Sequence, residues 1–391
     1  MAIKQLGLLL TLMSAPIASA MAISFTDPLD GQFDMGEYLA ENAYGFLPVP
    51  ILLTEPALGI GGGVAGVFLH ENEQEKQQRQ QQAAQRLDGG ANLMTPAITV
   101  VGGAGTDNGT WIGFAGHRHS WLNDSIRYTG LGGYGKANLA IYSDLGGLMP
   151  PENAIGFDTT TEGFLAVQHL QFRVAKTQLM LGVKQSYSQS SVSSSNALVD
   201  LLLQRYLGDA TAQSAIGLTA EFDQRDNHFF PKDGYLIDAQ YMAYRQSFGS
   251  DENYDTAEVN AEYYLPVNQR WTVAFAGSYQ GLYSDNQQLP PTVRPYVKLR
   301  GAPAYRYQGD EVLTAQAQLM YHINHRWLVS AFYGQGHTKE QTNLGSSAQT
   351  ISAYGSGFRY QIARRYGLHM GIDVARSDED SAIYFQIGSG F

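Results

Sequence analysis

Residues able to do chemistry are few, and most are disarmed by their spacing. His117-Arg118-His119-Ser120 sets imidazole beside hydroxyl, the pairing of an activated nucleophile. In an extended strand successive side chains leave opposite faces, so His119 and Ser120 cannot meet. His117 and His119 share a face at i, i+2, but no third ligand stands nearby, so no metal is expected. Glu258 and Glu262 share a face about 14 Å apart by strand rise, too far for a glycosidase carboxylate pair. Gly61-Gly62-Gly63 lacks the Lys-Ser and helix start of a phosphate loop, and no other cofactor motif is present. The remaining charge lies in Glu221-Phe-Asp223-Gln-Arg225-Asp226-Asn227-His-Phe-Phe230-Pro231-Lys-Asp-Gly234 and around Arg300, where it suits ion pairing better than catalysis.

The elements that position these residues are strands. Period-two patterning stops at Asp226 and resumes at Tyr235, so the charged stretch reads as a hairpin with a tight turn at Pro231–Gly234. Strand candidates at Phe46–Thr54 and Gly59–His70 precede it, and from Ala97 to Phe391 others follow closely, roughly 16 in all. Short turns (122–124, 176–177, 231–234, 268–269, 324–325, 364–365) alternate with longer loops (144–160, 189–213, 286–310, 339–349). A closed membrane barrel sorts its connections in this way, and a soluble sandwich has no reason to. Faces agree in the strands tested. Ala257, Val259, Ala261, Tyr263 and Leu265 oppose Glu258, Asn260 and Glu262, while Tyr366, Leu368, Met370, Ile372 and Val374 oppose His369, Gly371 and Asp373. In lipid only a closed ring satisfies every backbone group, so the apolar faces should meet lipid and the polar faces a wet lumen. The alternative is a soluble all-β protein with apolar faces packed inward.

Whole-chain properties bound the function. The 391 residues carry a net charge of −11 and no cysteine. An acidic chain without a basic stripe excludes nucleic acid as a partner, and disulfides and thiolate metal sites are absent. Lys4, the apolar run 6–17 and Ala18-Ser19-Ala20 form a secretory signal peptide over residues 1–20, too short to span a bilayer as a helix. Residues 21–45 then make a periplasmic segment and 46–391 the barrel, with a Gln-rich polar insertion at 71–93 on the periplasmic side, solvated or a marginal helix. The short apolar run 198–207 reads as a helix within a loop. Ile387 and Phe385 alternate toward the final Phe391, like the carboxy-terminal signal read by the machinery that inserts outer-membrane barrels.

Three motifs carry a family resemblance. Asp223-x-Arg225-Asp226-Asn227-x-x-Phe230-Pro231-x-x-Gly234 resembles the hairpin motif of the BamA/TamA outer-membrane barrel superfamily, the bacterial surface-antigen type. Leu299-Arg300-Gly301, continuing through Tyr305, Arg306 and Gly309, resembles the Arg-Gly motif of that family's long sixth external loop, which folds into the lumen. Phe332-x-Gly334-x-Gly336 stands where the family reads Phe-x-Asp-x-Gly. The resemblance covers 46–391 and implies an all-β transmembrane antiparallel barrel of about 16 strands with an inward-folding external loop.

Two departures shape the expectation. Gly334, Gln318 and Met320 replace charged residues of the family, so Arg300 needs another partner, such as Glu221, Asp223, Glu258 or Glu262. Between Ala20 and Phe46 there is no room for a POTRA domain, which resembles the stand-alone branch of the superfamily. The expected protein is a non-enzymatic barrel of the Gram-negative outer membrane, exported through its signal peptide. It would insert or translocate a partner through a seam between first and last strands. A passive pore or structural surface barrel is the alternative, and a phospholipase using Ser120 a distant third. Expected partners are outer-membrane lipids, the assembly machinery, and a client protein or a second copy.

Overall fold

The computed structural model describes residues 25–42, 45–54, 57–85, 97–143, 155–285, 289, 291–342 and 345–389. The expected signal peptide at 1–20, residues 86–93 of the expected polar insertion and Phe391 lie outside the described residues. The structure is a single antiparallel sheet of 16 strands in sequence order, each paired with its chain neighbours. The strands are β1 (Gly45–Leu53), β2 (Gly61–His70), β3 (Ala97–Thr106), β4 (Trp111–Trp121), β5 (Ile126–Ser143), β6 (Ile155–Arg173), β7 (Leu179–Ser194) and β8 (Thr211–Asp223). They continue with β9 (Gly234–Tyr244), β10 (Tyr254–Pro266), β11 (Trp271–Tyr283), β12 (Glu311–His322), β13 (Trp327–Thr342), β14 (Gly345–Ala363), β15 (Leu368–Ser377) and β16 (Ser381–Ile387). Helix α1 (Gly36–Asn42) precedes β1, the hydrophilic α2 (Glu73–Gln85) fills the start of the polar insertion, and α3 (Ala197–Leu207) is the helix read within a loop.

Five expectations about strands and connections change. Residues 155–160 belong to β6, 189–194 to β7 and 211–213 to β8, and 339–349 are largely strand rather than loop, with Lys339 opposite Ala348 and Gln341 opposite Ser346. Ladder pairing continues there without an apolar face, because both faces of a projecting hairpin are wet. Tyr366 lies not on the apolar face of β15 but in a short 3-10 turn, fully buried among Leu39 and Ala363. The expected tight turn at 231–234 is a ten-residue loop between β8 and β9. It is compact because Asp226 Oδ1 accepts from the amides of Lys232 (2.9 Å) and Asp233 (3.2 Å), and Asn227 Oδ1 from those of Phe229 (2.7 Å) and Phe230 (2.9 Å).

The ladder registers assign every strand residue to a face. Leu218, Val183, Tyr241, Val259, Phe275, Leu319, Tyr333, Phe358 and Val374 are exposed on the outside, an apolar belt suited to lipid. Trp121, Trp271 and Trp327 each sit beside a turn on one rim, where interfacial aromatics belong. The inner wall is divided. From β7 to β15 it carries Lys184, Thr219, Glu221, Asp238, Gln240, Glu258, Glu262, Gln318, Arg359 and Asp373. From β1 to β6 it carries Val49, Ile51, Leu53, Val67, Leu69, Ile98, Val100, Ile112, Phe114, Leu131, Leu165 and Val167. The expectation of a polar inner face therefore holds from β7 to β15 and on the lower wall of β4–β6, where Arg118, Ser120, Arg127, His169, Gln171 and Arg173 point inward, and fails for the rest. The strands that supported it, β10 and β15, both belong to the polar part.

Candidate functional site

The sheet ends at β1 and β16, and no ladder joins them among the described residues. A hydrogen bond from the Phe385 amide to Thr54 Oγ1 (3.1 Å) crosses the gap. Each edge thus keeps a row of backbone groups without a strand partner, which is costly in lipid and makes this line the weakest in the wall. On the outer face of β16, Ile383, Phe385 and Ile387 are exposed, while Tyr384 and Ala382 turn inward. Beyond Ile387 the chain bends into the lumen. The Gly388 carbonyl accepts from Arg359 Nε (3.2 Å), the Ser389 carbonyl from Gln318 Nε2 (2.9 Å), and Ser389 Oγ meets the Tyr264 hydroxyl (3.0 Å).

The loop between β11 and β12 also lies inside. Arg300 is partnered, but by none of the carboxylates expected. Its Nη1 donates to Asp373 Oδ2 (2.5 Å), its Nη2 to Gln318 Oε1 (2.9 Å), and the guanidinium lies 3.5 Å from the centre of the Phe332 ring. Asp373 is completely buried and also takes two bonds from Arg359 (2.6 and 2.9 Å). The expected partners are engaged elsewhere. Glu221 holds Arg127 (3.0 Å), Glu258 accepts from Gln240 (2.6 Å) and Lys298 (3.3 Å), and Asp223 and Glu262 share Arg225 (2.9 and 3.2 Å). The two glycines on β13 have a packing role. A Cβ on Gly334 would come within 2.8 Å of Leu299, and one on Gly336 would collide with Val297, so their bareness seats the loop against the wall. With no room for an acid at 334, the carboxylate comes from β15 instead.

The rest of the loop motif is structural. Gly301 has φ +89° and donates to the Tyr384 hydroxyl (2.9 Å), and a Cβ there would lie 2.9 Å from the Arg376 amide nitrogen. Only glycine fits such an approach. Tyr305 packs on Tyr296 with ring centres 4.4 Å apart, Arg306 pairs with Glu379 (3.3 Å), and Gly309 donates to the Pro295 carbonyl (3.1 Å).

The β8–β9 loop closes the lumen from the opposite rim. Phe230 is 2% exposed and packs with Tyr264, Met320 and Leu328, its ring 4.0 Å from that of His369. Pro231 is buried beside it, Gly234 takes φ +99°, and Asn227 Nδ2 donates to the Tyr366 carbonyl (3.1 Å). The hairpin motif is therefore a stopper whose Asp223–Arg225–Glu262 bonds fix it to β10.

One cluster escaped sequence reasoning. Arg326, between β12 and β13, is fully buried and bonds Asp27, Asp30 (2.6 Å) and Asp34 (2.5 Å), while Arg364 bonds Asp27 (2.5 Å). The segment before β1 is thus clamped beneath β12–β15, and from there it leads across the rim to β1. Asp27-x-x-Asp30-x-x-x-Asp34 was visible as acids at regular spacing, but nothing local names partners some 300 residues away. His119 stacks on Trp121 (4.2 Å) on the outer face, while Ser120 faces the lumen opposite Arg127, so the two are not a catalytic pair.

Comparison with known proteins agrees with this geometry. A family model described as the Omp85 superfamily domain matches residues 152–391. No curated protein matches the chain. Among solved structures, BamA from Haemophilus ducreyi lacking POTRA domains 1–3 superposes with a TM-score of 0.56 at 11% identity, covering 87% of this chain and 68% of that one. CdiB from Escherichia coli gives 0.53 at 10% identity, with 87% and 61% covered, and CdiB from Acinetobacter baumannii 0.52 at 11%, with 88% and 59%. The chain thus spans about three fifths of the CdiB chains it matches.

Proposed function

This chain belongs to the Omp85 superfamily, whose barrels reside in the outer membrane, and from that premise we propose that it inserts or translocates a partner polypeptide by opening between β1 and β16. The observation that carries the reading is the absence of a ladder between these strands among the described residues. An incoming strand could pair with either free edge and so satisfy backbone groups that lipid leaves bare. The inward loop, the hairpin stopper and the Gly388–Ser389 bend occupy the polar part of the lumen, which supports lateral release over passage through an open bore. The client is a polypeptide, delivered in the presence of outer-membrane lipids. The proposal includes export by the signal peptide at 1–20 and insertion through Phe385, Ile387 and Phe391.

The chain has no cysteine, so Thr54→Cys with Phe385→Cys makes a clean seam lock. The full chain is reconstituted in vesicles, and an urea-unfolded outer-membrane barrel is added as the client. With the lock reduced, client folding runs faster than in empty vesicles, and oxidation removes the gain. No acceleration by the reduced protein, together with steady channel conductance, would instead establish the passive-pore alternative.

A further inference from the structure

The apolar inner wall of β1–β6 has no counterpart in a water-filled barrel. A cavity of about 570 Å³ lies against it, lined among others by Leu53, Ile112, Phe114, Leu131 and Leu165. Ile112, Leu131 and Leu165 are 46%, 45% and 44% exposed, although the registers place all three inside. Glycines deepen the hollow, since Gly133, Gly135 and Gly163 present no side chain on this face. The volume falls within the range of about 300–1,000 Å³ typical of small-molecule sites, and water has few hydrogen-bonding partners there.

We infer that this chamber takes the hydrocarbon chain of a membrane phospholipid. Leu53, part of its lining, is the last residue of β1, so the chamber reaches the open edge of the sheet and through it the bilayer. The wall is also polar at one end in the sense a phospholipid requires. Below Phe114 on the same face stands Arg118, about 14 Å lower by strand rise. Asp124 is shared there by Arg127 (2.7 Å), Arg173 (2.9 Å) and Arg118 (3.8 Å), and Arg127 also holds Glu221 (3.0 Å), so three arginines face two carboxylates at the rim. A phosphate at Arg118 and an acyl chain running up past Val100, Phe114 and Leu131 would have the orientation of a lipid in the periplasmic leaflet. A polypeptide suits the chamber less well. Its backbone would bring unpaired N–H and C=O groups against a wall whose own backbone is used in ladder pairing.

Entry through the β1–β16 edge rests on the proposed function, but occupancy does not. Both are tested with the full chain in phosphatidylcholine–phosphatidylglycerol vesicles, spin-labelled at Leu131→Cys or Leu165→Cys. Collision with oxygen should match lipid-facing Leu218→Cys, and collision with a water-soluble nickel chelate should fall at least about tenfold below Asn260→Cys on the polar wall, because hydrocarbon excludes a polar solute. Chelate access equal to that of Asn260→Cys would mean a wet chamber and overturn the inference, whatever the seam does. Exclusion of both reagents would mean filling by polypeptide and overturn it equally. If these labels prevent folding, Val167→Cys on the same wall gives the reading. Native mass spectrometry of the unlabelled chain is independent. A phospholipid should be retained, and Arg118→Gln should weaken retention about tenfold, the loss of one charge-assisted bond. A wild-type chain that carries no phospholipid counts against the chamber. Refolding with the seam locked before transfer to vesicles tests the route, since labels that stay chelate-accessible only in the locked protein place entry at the seam, and labels shielded in both locked and unlocked protein exclude it.

Discussion

Asp373 should matter more than the arginine of the loop motif it binds. It is completely buried, and both Arg300 and Arg359, 8% and 1% exposed, place their guanidiniums on it. Counting these three groups alone, the cluster is one positive charge in excess. Asp373→Asn leaves two buried arginines facing each other, and breaking a buried pair in this way costs about 3–5 kcal/mol. Arg300→Met loses its bonds to Asp373 and Gln318, about 1.5–3 kcal/mol for a charge-assisted contact. It leaves Asp373 neutralised by Arg359 through two bonds, and the methionine still covers Phe332, so the net cost falls to about 1–2 kcal/mol. A difference of about 2 kcal/mol is roughly 30-fold in the unfolding equilibrium. Urea titration of vesicle-embedded protein measures it, read from tryptophan fluorescence and from the compact gel band that heating abolishes. Adding Arg300→Met to Asp373→Asn should restore part of the loss. If Arg300→Met alone is as damaging as Asp373→Asn, the shared-carboxylate argument is wrong.

Hydrogen bonds from Arg364 hold Asp27, and those from Arg326 hold Asp30, below the usual carboxylate range, so the stability these two carboxylates lend the segment before β1 is present above about pH 4 and is lost as pH falls through the lowered values. Protease access to residues 25–42 should stay constant between about pH 8 and 5 and rise only in stronger acid, whereas Arg326→Met should expose the segment at neutral pH; a transition near neutrality in the wild type would contradict the assignment. Gly334→Val should push Leu299 and its loop off the wall, raising single-channel conductance and costing about 1–3 kcal/mol as Arg300 loses Asp373 and Gln318, and an unchanged closed lumen would show that the glycine does not seat the loop. Asn227→Ala removes two amide caps and the tie to the Tyr366 carbonyl, so it should cost about 1–2 kcal/mol in the same urea titration.

Strand count and the two motif loops were legible because they are local or periodic. Alternation at β10 names two faces without any knowledge of neighbours, and Asp226, Asn227 and Gly234 announce a folded-back hairpin through bonds within a few residues. Which face meets water was not local. At β4 and β5 the outer face bears His117, His119, Tyr128 and Tyr134 while the inner bears Ile112, Phe114 and Leu131, so alternation there says that two faces exist without saying which is inside. Arg300 was correctly marked as needing a buried partner, but the choice among carboxylates depended on where the loop settled, and Gly334 and Gly336 decided that by leaving room beside β13.

By itself, then, the order of residues determined a sheet of about sixteen antiparallel strands and the residues that shape its two motif loops, because those follow from side-chain period and turn chemistry. Only the tertiary structure decided the rest: the unpaired β1–β16 edge, the Asp373 pairing, the three-aspartate clamp on Arg326 and the apolar lining of β1–β6. Each of these depends on curvature bringing together residues tens to hundreds apart, and burial then sets which charges must pair.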